Sequence, residues 1–521
     1  MDISTTATTK TSPQPRSRNQ DYTAARTTDT DDYLDTIDEV GSVSDDSKSK
    51  GKKKNSKAGS FFTMAFRALG LLSDGYQASI ISFINLALGN IYGHNIFNTT
   101  VSSRLSYSLF VGCVFGQLGF GFFVDRFGRK PGLIGAALFV IIGGALSAGS
   151  YGTTPEGLLW MMTIARGILG IGIGAEFPCS SVSAGESADE ISSKNRGMLF
   201  VLVTNFVIDL GYVLAALMPV ILLAIFTENN LEPVWRLCLG IGIIPPLAVL
   251  YIRLKMTESD RYKKMAMKKK VPYLLIFKRY WKRLFAVSFT WFVYDFISYP
   301  SSLYSSVIIN QVSEGQPMII TSAWNILLYS LYLPGCLTGA FLVDRIGRRQ
   351  TLTLGLISLG VVGILLGITF DWLTKSCFPL FVVMYGIYLA LAEMGPGNTI
   401  GLLSVESFSV SIRGTGYGIA AAFGKIGATV GTVAFGQMKE TLGLRAPFLV
   451  GSCIAIVTGC FAWFAFQEID SIDLEREDIA FKQYLRDNGY DVSLMGLDSH
   501  DQVGNYGATT VDQDAYKNDT H

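Results

Sequence analysis

The chain has 521 residues, 49% of them hydrophobic, only 16% charged and 54 of them glycine, with 43 Lys and Arg against 42 Asp and Glu. A soluble chain of this length would divide into domains with charged surfaces; here the charges crowd into the two ends and a few short loops, which excludes that class. The cysteines at 113, 179, 238, 336, 377, 453 and 460 form no CxxC pair and only three histidines accompany them. Neither a disulfide framework, a metal site nor a cofactor is therefore expected. No Ser/His/Asp set points to hydrolysis, so an enzyme is not expected either.

In chain order, residues 1–63 are rich in Ser, Thr, Asp and Lys and contain no apolar core before a cleavage site, so they read as a disordered tail rather than a signal peptide. Crossing a bilayer core takes roughly 20 apolar residues. Twelve such stretches follow, near 64–94, 104–124, 132–150, 158–182, 198–226, 235–254, 284–312, 320–343, 351–372, 378–402, 414–436 and 446–466. They divide into an N-terminal half, 64–254, and a C-terminal half, 284–466. The charged stretch 255–283, with Lys268, Lys269 and Lys270, reads as a solvated linker near anionic lipid rather than a nucleic-acid site. Residues 467–521 read as a second disordered tail. Lys52, Lys53, Lys54, Lys57, Lys194, Arg196, Arg413 and the basic linker share one side, and Arg104, Lys375, Lys439 and Arg445 the other. Cytoplasmic loops collect Lys and Arg, so both termini are expected inside.

A charged loop occurs twice. It reads Asp125-Arg126-Phe127-Gly128-Arg129-Lys130 and again Asp344-Arg345-Ile346-Gly347-Arg348-Arg349, an offset of 344 − 125 = 219 residues. That offset is long enough for one six-helix half. A duplicated bundle rocking about a central site is a transporter architecture. The loop resembles the DRxGR loop of the major facilitator superfamily. The resemblance implies an all-α membrane protein of twelve transmembrane helices in two pseudo-symmetric six-helix bundles, with the two loops holding the cytoplasmic ends together.

Ionisable residues inside spans default to functional hypotheses. They are Asp74 in span 1, Arg166 and Glu176 in span 4, Asp209 in span 5, Asp295 in span 7, Glu393 in span 10 and Lys425 in span 11. Five acids face two bases, so some acids lack a cation and can carry protons; packing or interhelix hydrogen bonding is the alternative, above all for Asp209 and Glu393. Gly170-Ile171-Gly172-Ile173-Gly174 follows Arg166 inside a span, which favours close helix packing over nucleotide binding. Lys425, mid-span among Gly and Ala, needs a counter-ion, either Glu176 or an anionic substrate. Trp291, Asp295 and Tyr299 fall at i, i+4 and i+8, which places them on one helix face.

At these residues a narrower resemblance emerges, extending over 64–466. Arg166-Gly167 with Glu176-Phe177-Pro178, the Trp291/Asp295/Tyr299 stripe, Gly395-Pro396-Gly397-Asn398, Glu406, Arg413-Gly414 and Gly424-Lys425-Ile426-Gly427 are similar to the fungal phosphate and glycerophosphodiester branch, and most similar to glycerophosphoinositol and glycerophosphocholine permeases. The resemblance implies a multi-pass plasma-membrane proton symporter. Its substrate would be a small anionic phosphodiester or phosphate, its other partners protons and the lipid bilayer. Glu176 and Lys425 would form the proton/anion pair, with Trp291, Asp295, Tyr299, Asn398 and Asn205 lining the phosphate pocket and Asp74 taking part in proton movement. Two residues depart from the inorganic phosphate carriers: Phe177 replaces a Tyr, and Gly397 is inserted before Asn398. Asp209 has no counterpart in the family pattern. Inorganic phosphate transport is the runner-up. A sugar carrier is disfavoured because Asp295 stands where paired glutamines are expected, and a non-transporting nutrient receptor remains the alternative of a different class.

Overall fold

The computed structural model describes residues 69–192, 194–255, 271–313, 316–467, 471–492 and 495. The N-terminal tail, the start of the first expected span and most of the linker lie outside these residues. Among the described residues all regular structure is helical. The twelve runs are α1 (Gly70–Ser79 and Ile81–Ile96), α2 (Thr99–Phe127), α3 (Arg129–Ala148), α4 (Pro155–Ala188), α5 (Arg196–Phe226), α6 (Leu231–Leu254), α7 (Tyr273–Leu303), α8 (Met318–Val343), α9 (Arg348–Ser376), α10 (Phe378–Glu406), α11 (Val410–Leu442) and α12 (Ala446–Ala465). By length and composition, all but α1 and α7 are apolar enough to cross a membrane.

In lipid the packing between helices is made by van der Waals contact, and small residues let backbones approach. A Cβ on Gly170 or Gly174 of α4 would lie 2.0 and 2.2 Å from the carbonyl oxygens of Leu109 and Cys113 in α2. The Gly-Ile-Gly-Ile-Gly string is thus a packing seam. The same device joins α11 to α7, where a Cβ on Gly427 would stand 2.0 Å from the carbonyl oxygen of Phe292. Two helices near the centre carry a wide turn, α4 at Phe177–Ser181 and α10 at Glu393–Gly397, each containing a proline. Such π segments insert a residue into the helix and re-aim its faces.

Two boundaries differ from expectation. The stretch 273–283 belongs to α7, which runs past the apolar span as a charged extension. The expected second tail contains a further helix, α13 (Ser471–Asp487). Phe481 and Leu485 of α13 are buried with Tyr280 of α7 and with Phe408, Val410 and Ile412 between α10 and α11. Glu477 accepts hydrogen bonds from Arg279 Nη2 and Tyr280 Oη, both at 2.8 Å, and pairs with Arg283 at 3.1 Å. Asp478 accepts from Ser409 Oγ at 2.7 Å and Val410 N at 3.1 Å.

Burial alone would raise the Glu477 carboxyl; the Arg279 hydrogen bond, the Arg283 charge and the Tyr280 hydroxyl outweigh it and hold it below its ordinary value. A lowered folded value means that docking gains stability above the free-carboxyl value and loses it as pH falls through the lowered one. Glu477→Gln, which removes that charge at neutral pH, should raise the rate at which protease releases the C-terminal segment from the folded protein. The wild-type segment should show the same release only on strong acidification; equal rates at neutral pH would show that the apolar contacts alone hold α13.

Candidate functional site

The helices converge on a central cavity lined by charged, polar and aromatic side chains, the kind of lining that fixes the orientation of a small ligand. Its walls come from both halves: Phe177 and Ser181 of α4 and Asn205 and Tyr212 of α5 on one side, Trp291, Asp295 and Tyr299 of α7, Glu393 of α10 and Lys425 of α11 on the other. At its centre Lys425 Nζ donates to Asp295 Oδ2 and to Tyr299 Oη, each at 2.8 Å. The ammonium lies 3.9 Å from the Tyr299 ring centroid and 5.3 Å from that of Phe177. Trp291 packs edge-on against Tyr417 at 5.4 Å and covers the face of Gly424. The α7 stripe thus shares one wall with Lys425, as the i, i+4, i+8 spacing requires.

The pairing of acids and bases differs from expectation. Lys425 pairs with Asp295, not with Glu176. Glu176 is gripped through both oxygens by Arg253 of α6, with Nη1 to Oε2 at 2.8 Å, and also accepts from Ser180 Oγ. Arg253 is 1% exposed and donates to the Leu133 carbonyl as well. Sequence reasoning missed Arg253, which stands at a span end next to the basic linker. Asn398 does not line the cavity: it is buried between α10 and α8, donating to the Cys336 carbonyl at 2.8 Å and accepting from Cys336 Sγ at 3.3 Å. Asn205 is at the cavity, donating to Glu393 Oε1 at 3.1 Å and to the Gly397 carbonyl.

Asp74 shares a smaller void with Lys425 and Phe177 and lies within electrostatic reach of Glu176 and Arg253. Neither of its carboxylate oxygens has a hydrogen-bond partner among the described residues. Asp209 is likewise without one, and its carboxylate lies with Cys336 Sγ and the Glu393 carboxylate in a cluster whose atoms are all within 4.8 Å of one another.

The duplicated loops build a lock at one end. Asp125 accepts from the backbone N–H of Gly414 at 3.0 Å and Thr415 at 2.6 Å, at the start of the main helix of α11. Asp344 does the same for Gly197 at 3.2 Å and Met198 at 2.7 Å in α5. Each acid caps a helix of the opposite half, where unpaired N–H groups and the helix dipole favour a carboxylate. Arg129 pairs with Glu186 at 2.9 Å; Glu406 takes Arg348 at 3.3 Å and, across the halves, Arg196. Arg413 braces the neighbouring turn by donating to the Phe408 carbonyl. Three residues expected in this machinery lie apart from these contacts. Arg126 is exposed, Arg345 is exposed and stacks 3.6 Å over Phe341, and Arg166 sits deep in α4, donating to the Gln77 carbonyl at 3.2 Å. Glu186 was missed, although the repeat finds it: 406 − 186 = 220, almost the offset of the loops.

At the other end the halves meet through hydroxyl groups and one carboxylate, Glu228, which accepts from the Ile319 N–H at the start of α8 at 3.0 Å. Ser82 of α1 donates to Ser306 beyond α7 at 2.9 Å, and Ser103 of α2 bonds to Tyr304 at 2.9 Å.

The family described as "Sugar (and other) transporter" matches residues 49–272 and 263–481, which together span both halves. The chain belongs to this family. It is therefore a multi-pass membrane transporter and not an enzyme. Among its curated relatives, the glycerophosphocholine permease GIT4 of Candida albicans is 40% identical over 82% of this chain and 82% of its own length. The glycerophosphoinositol transporter 1 of Saccharomyces cerevisiae is 37% identical over 86% of this chain and 87% of its own. Among solved structures, the proton:xylose symporter XylE bound to 6-bromo-6-deoxy-D-glucose superposes with a TM-score of 0.71 at 22% identity, covering 82% of this chain and 99% of that one. The transporter thus has the major facilitator fold.

Replacing Asp125 by Ala should open the lock. Losing a helix-capping side chain costs about 0.5–2 kcal/mol, a shift of roughly 2- to 30-fold in a two-state balance. A cysteine placed at Ser181 on the cavity wall should then be labelled faster from the lock side than in the otherwise wild-type carrier. Labelling at the unchanged rate would remove Asp125 from the gate.

Proposed function

We propose that the protein is a proton-coupled importer of glycerophosphodiesters that works by alternating access in the plasma membrane, with both termini and the DRxGR lock on the cytoplasmic side. The observation that carries this reading is Lys425, a cation at the centre of the cavity, held by Asp295 and Tyr299, in a chain whose relatives of 37–40% identity are named for glycerophosphodiesters.

A phosphodiester is anionic at any physiological pH, so Lys425 can attract it only while Asp295 does not compete. A proton on Asp295 removes the competing charge and turns the carboxyl into a donor toward a phosphate oxygen. The ammonium is then released to the ligand, with Tyr299 Oη and the Trp291 face completing the phosphate wall. After the lock opens, loss of that proton to the cytoplasm restores the Lys425–Asp295 pair and expels the anion. Asp74 stands between this pair and Glu176–Arg253, which makes it the relay from cavity to cytoplasm. Glu176, bound by Arg253, anchors the relay at its inner end.

Two measurements test the reading. Uptake of radiolabelled glycerophosphodiester should rise as the outside is acidified and collapse with a protonophore; transport indifferent to both would remove proton coupling. Lys425→Ala should abolish substrate binding in protein that still reaches the membrane, because it leaves both Asp295 and the incoming anion without a cation, a loss of about 3–5 kcal/mol for a broken buried pair. Near-normal affinity would move the anion site elsewhere. Inorganic phosphate carried in preference to every diester would replace the substrate assignment and leave the mechanism intact.

A further inference from the structure

The phosphate end of the cavity leaves its other end unexplained. Lys425 and Asp295 neutralise each other, whereas Glu393 lines the same cavity and receives only neutral donors, Asn205 Nδ2 at 3.1 Å and Tyr294 Oη at 3.2 Å. Asp209 stands beside it, also without a cation. A carboxylate buried without a positive partner is costly unless it takes up a proton or a ligand supplies a cation. The surroundings are those a desolvated organic cation requires. Tyr212, Tyr294 and Tyr332 all line the cavity and all lie within electrostatic reach of the Glu393 carboxyl. The Tyr212 and Tyr332 rings meet edge to face at 5.2 Å.

Aromatic faces attract an ammonium through the ring quadrupole, most strongly where water is excluded. A methylated ammonium has no N–H to donate, so it suits rings plus a nearby charge and does not need Glu393 to give up its bonds to Asn205 and Tyr294. A primary ammonium would need acceptors in its place.

We infer that Glu393 with Tyr212, Tyr294 and Tyr332 forms a subsite for a quaternary-ammonium headgroup, so that the preferred substrate is a zwitterionic glycerophosphodiester lying with its phosphate toward Lys425 and its cation toward Glu393. This rests on the glycerophosphodiester reading above and adds the headgroup to it. The subsite also completes the charge balance: the bound zwitterion places a positive group beside Glu393 and a negative one beside Lys425, both of which line the one cavity.

The test uses the full-length carrier in cells lacking their own glycerophosphodiester uptake. The first probe needs no mutation. Uptake of labelled glycerophosphocholine is competed by unlabelled glycerophosphocholine and by its carbon isostere, in which an uncharged 3,3-dimethylbutyl group replaces choline and leaves a net anion. The zwitterion should compete at a concentration about tenfold lower than the isostere; equal potency would overturn the subsite. The second probe is the ratio of kcat/KM for glycerophosphocholine to that for glycerophosphoinositol, which should fall about tenfold in Glu393→Gln and in Tyr332→Leu. An equal loss on both substrates in both variants would assign these residues to a step common to all substrates and overturn the headgroup site, while leaving diester transport standing. A wild-type carrier that moves glycerophosphoinositol and is not competed by glycerophosphocholine would overturn it as well. If the wild type moves neither diester, the underlying reading fails first and the subsite with it.

Discussion

The Lys425–Asp295 pair is the interaction on which the rest depends, and its existence is a packing result. Two charges taken into a low-dielectric interior are stable together only when geometry and neighbouring hydrogen bonds are good. The 2.8 Å contact between Nζ and Oδ2 requires α7 and α11 to approach backbone to backbone. Gly424, Gly427 and Gly431 make that approach possible, each facing α7 where a side chain would strike Trp291, Phe292 or Phe296. The glycines set the distance, the distance sets the pair, and the proposed proton-coupled binding acts on that pair. A side chain in this seam would therefore disturb chemistry on the far side of the helix.

The two ends of the molecule are closed by unlike materials. At the lock end, carboxylates cap helices of the opposite half and buried arginines bridge to Glu186 and Glu406. At the other end, serine hydroxyls and Tyr304 make neutral bonds, and Glu228 alone adds a carboxylate cap, on Ile319. Neutral hydrogen bonds contribute about 0.5–1.5 kcal/mol net, charge-assisted ones about twice that. The lock end, with more of the latter, is the more firmly held. The docked α13 braces it further, because Asp478 fastens the turn that carries Ser409 and Val410 beside the lock.

Spans, duplication and the α7 stripe were legible in the sequence because each depends on local spacing: runs of apolar residues, a repeated loop and a 3.6-residue period. Partner choice was not. Which acid meets which base depends on which helices are neighbours, and Glu176 lies against the end of α6 rather than against α11, so Arg253 takes it. Asn398 looked like a pocket residue because it follows the glycines of a pocket motif. The π segment before it re-aims the helix, and its amide faces Cys336. Residues 471–487 looked disordered because they are charged; their partners, Arg279, Tyr280 and Arg283, lie on an extension of α7 far away in sequence.

The repeat also sets one feature in two different surroundings. Glu176 and Glu393 are 393 − 176 = 217 residues apart, nearly the 219 of the loops, and each adjoins a π segment containing proline. Symmetry gives both halves the same carboxylate at the same bend. In the N-terminal half Arg253 is built in to meet it. Counting 219 residues on from Arg253 reaches Ile472, beyond α12, so the C-terminal half has no equivalent cation. There the carboxylate is met by Asn205 and Tyr294 and faces the cavity. The same bend thus carries a paired carboxylate in one half and one met only by neutral donors in the other. That asymmetry supports the proposed orientation of the substrate, with the relay proposed beside the paired carboxylate and the headgroup beside the unpaired one.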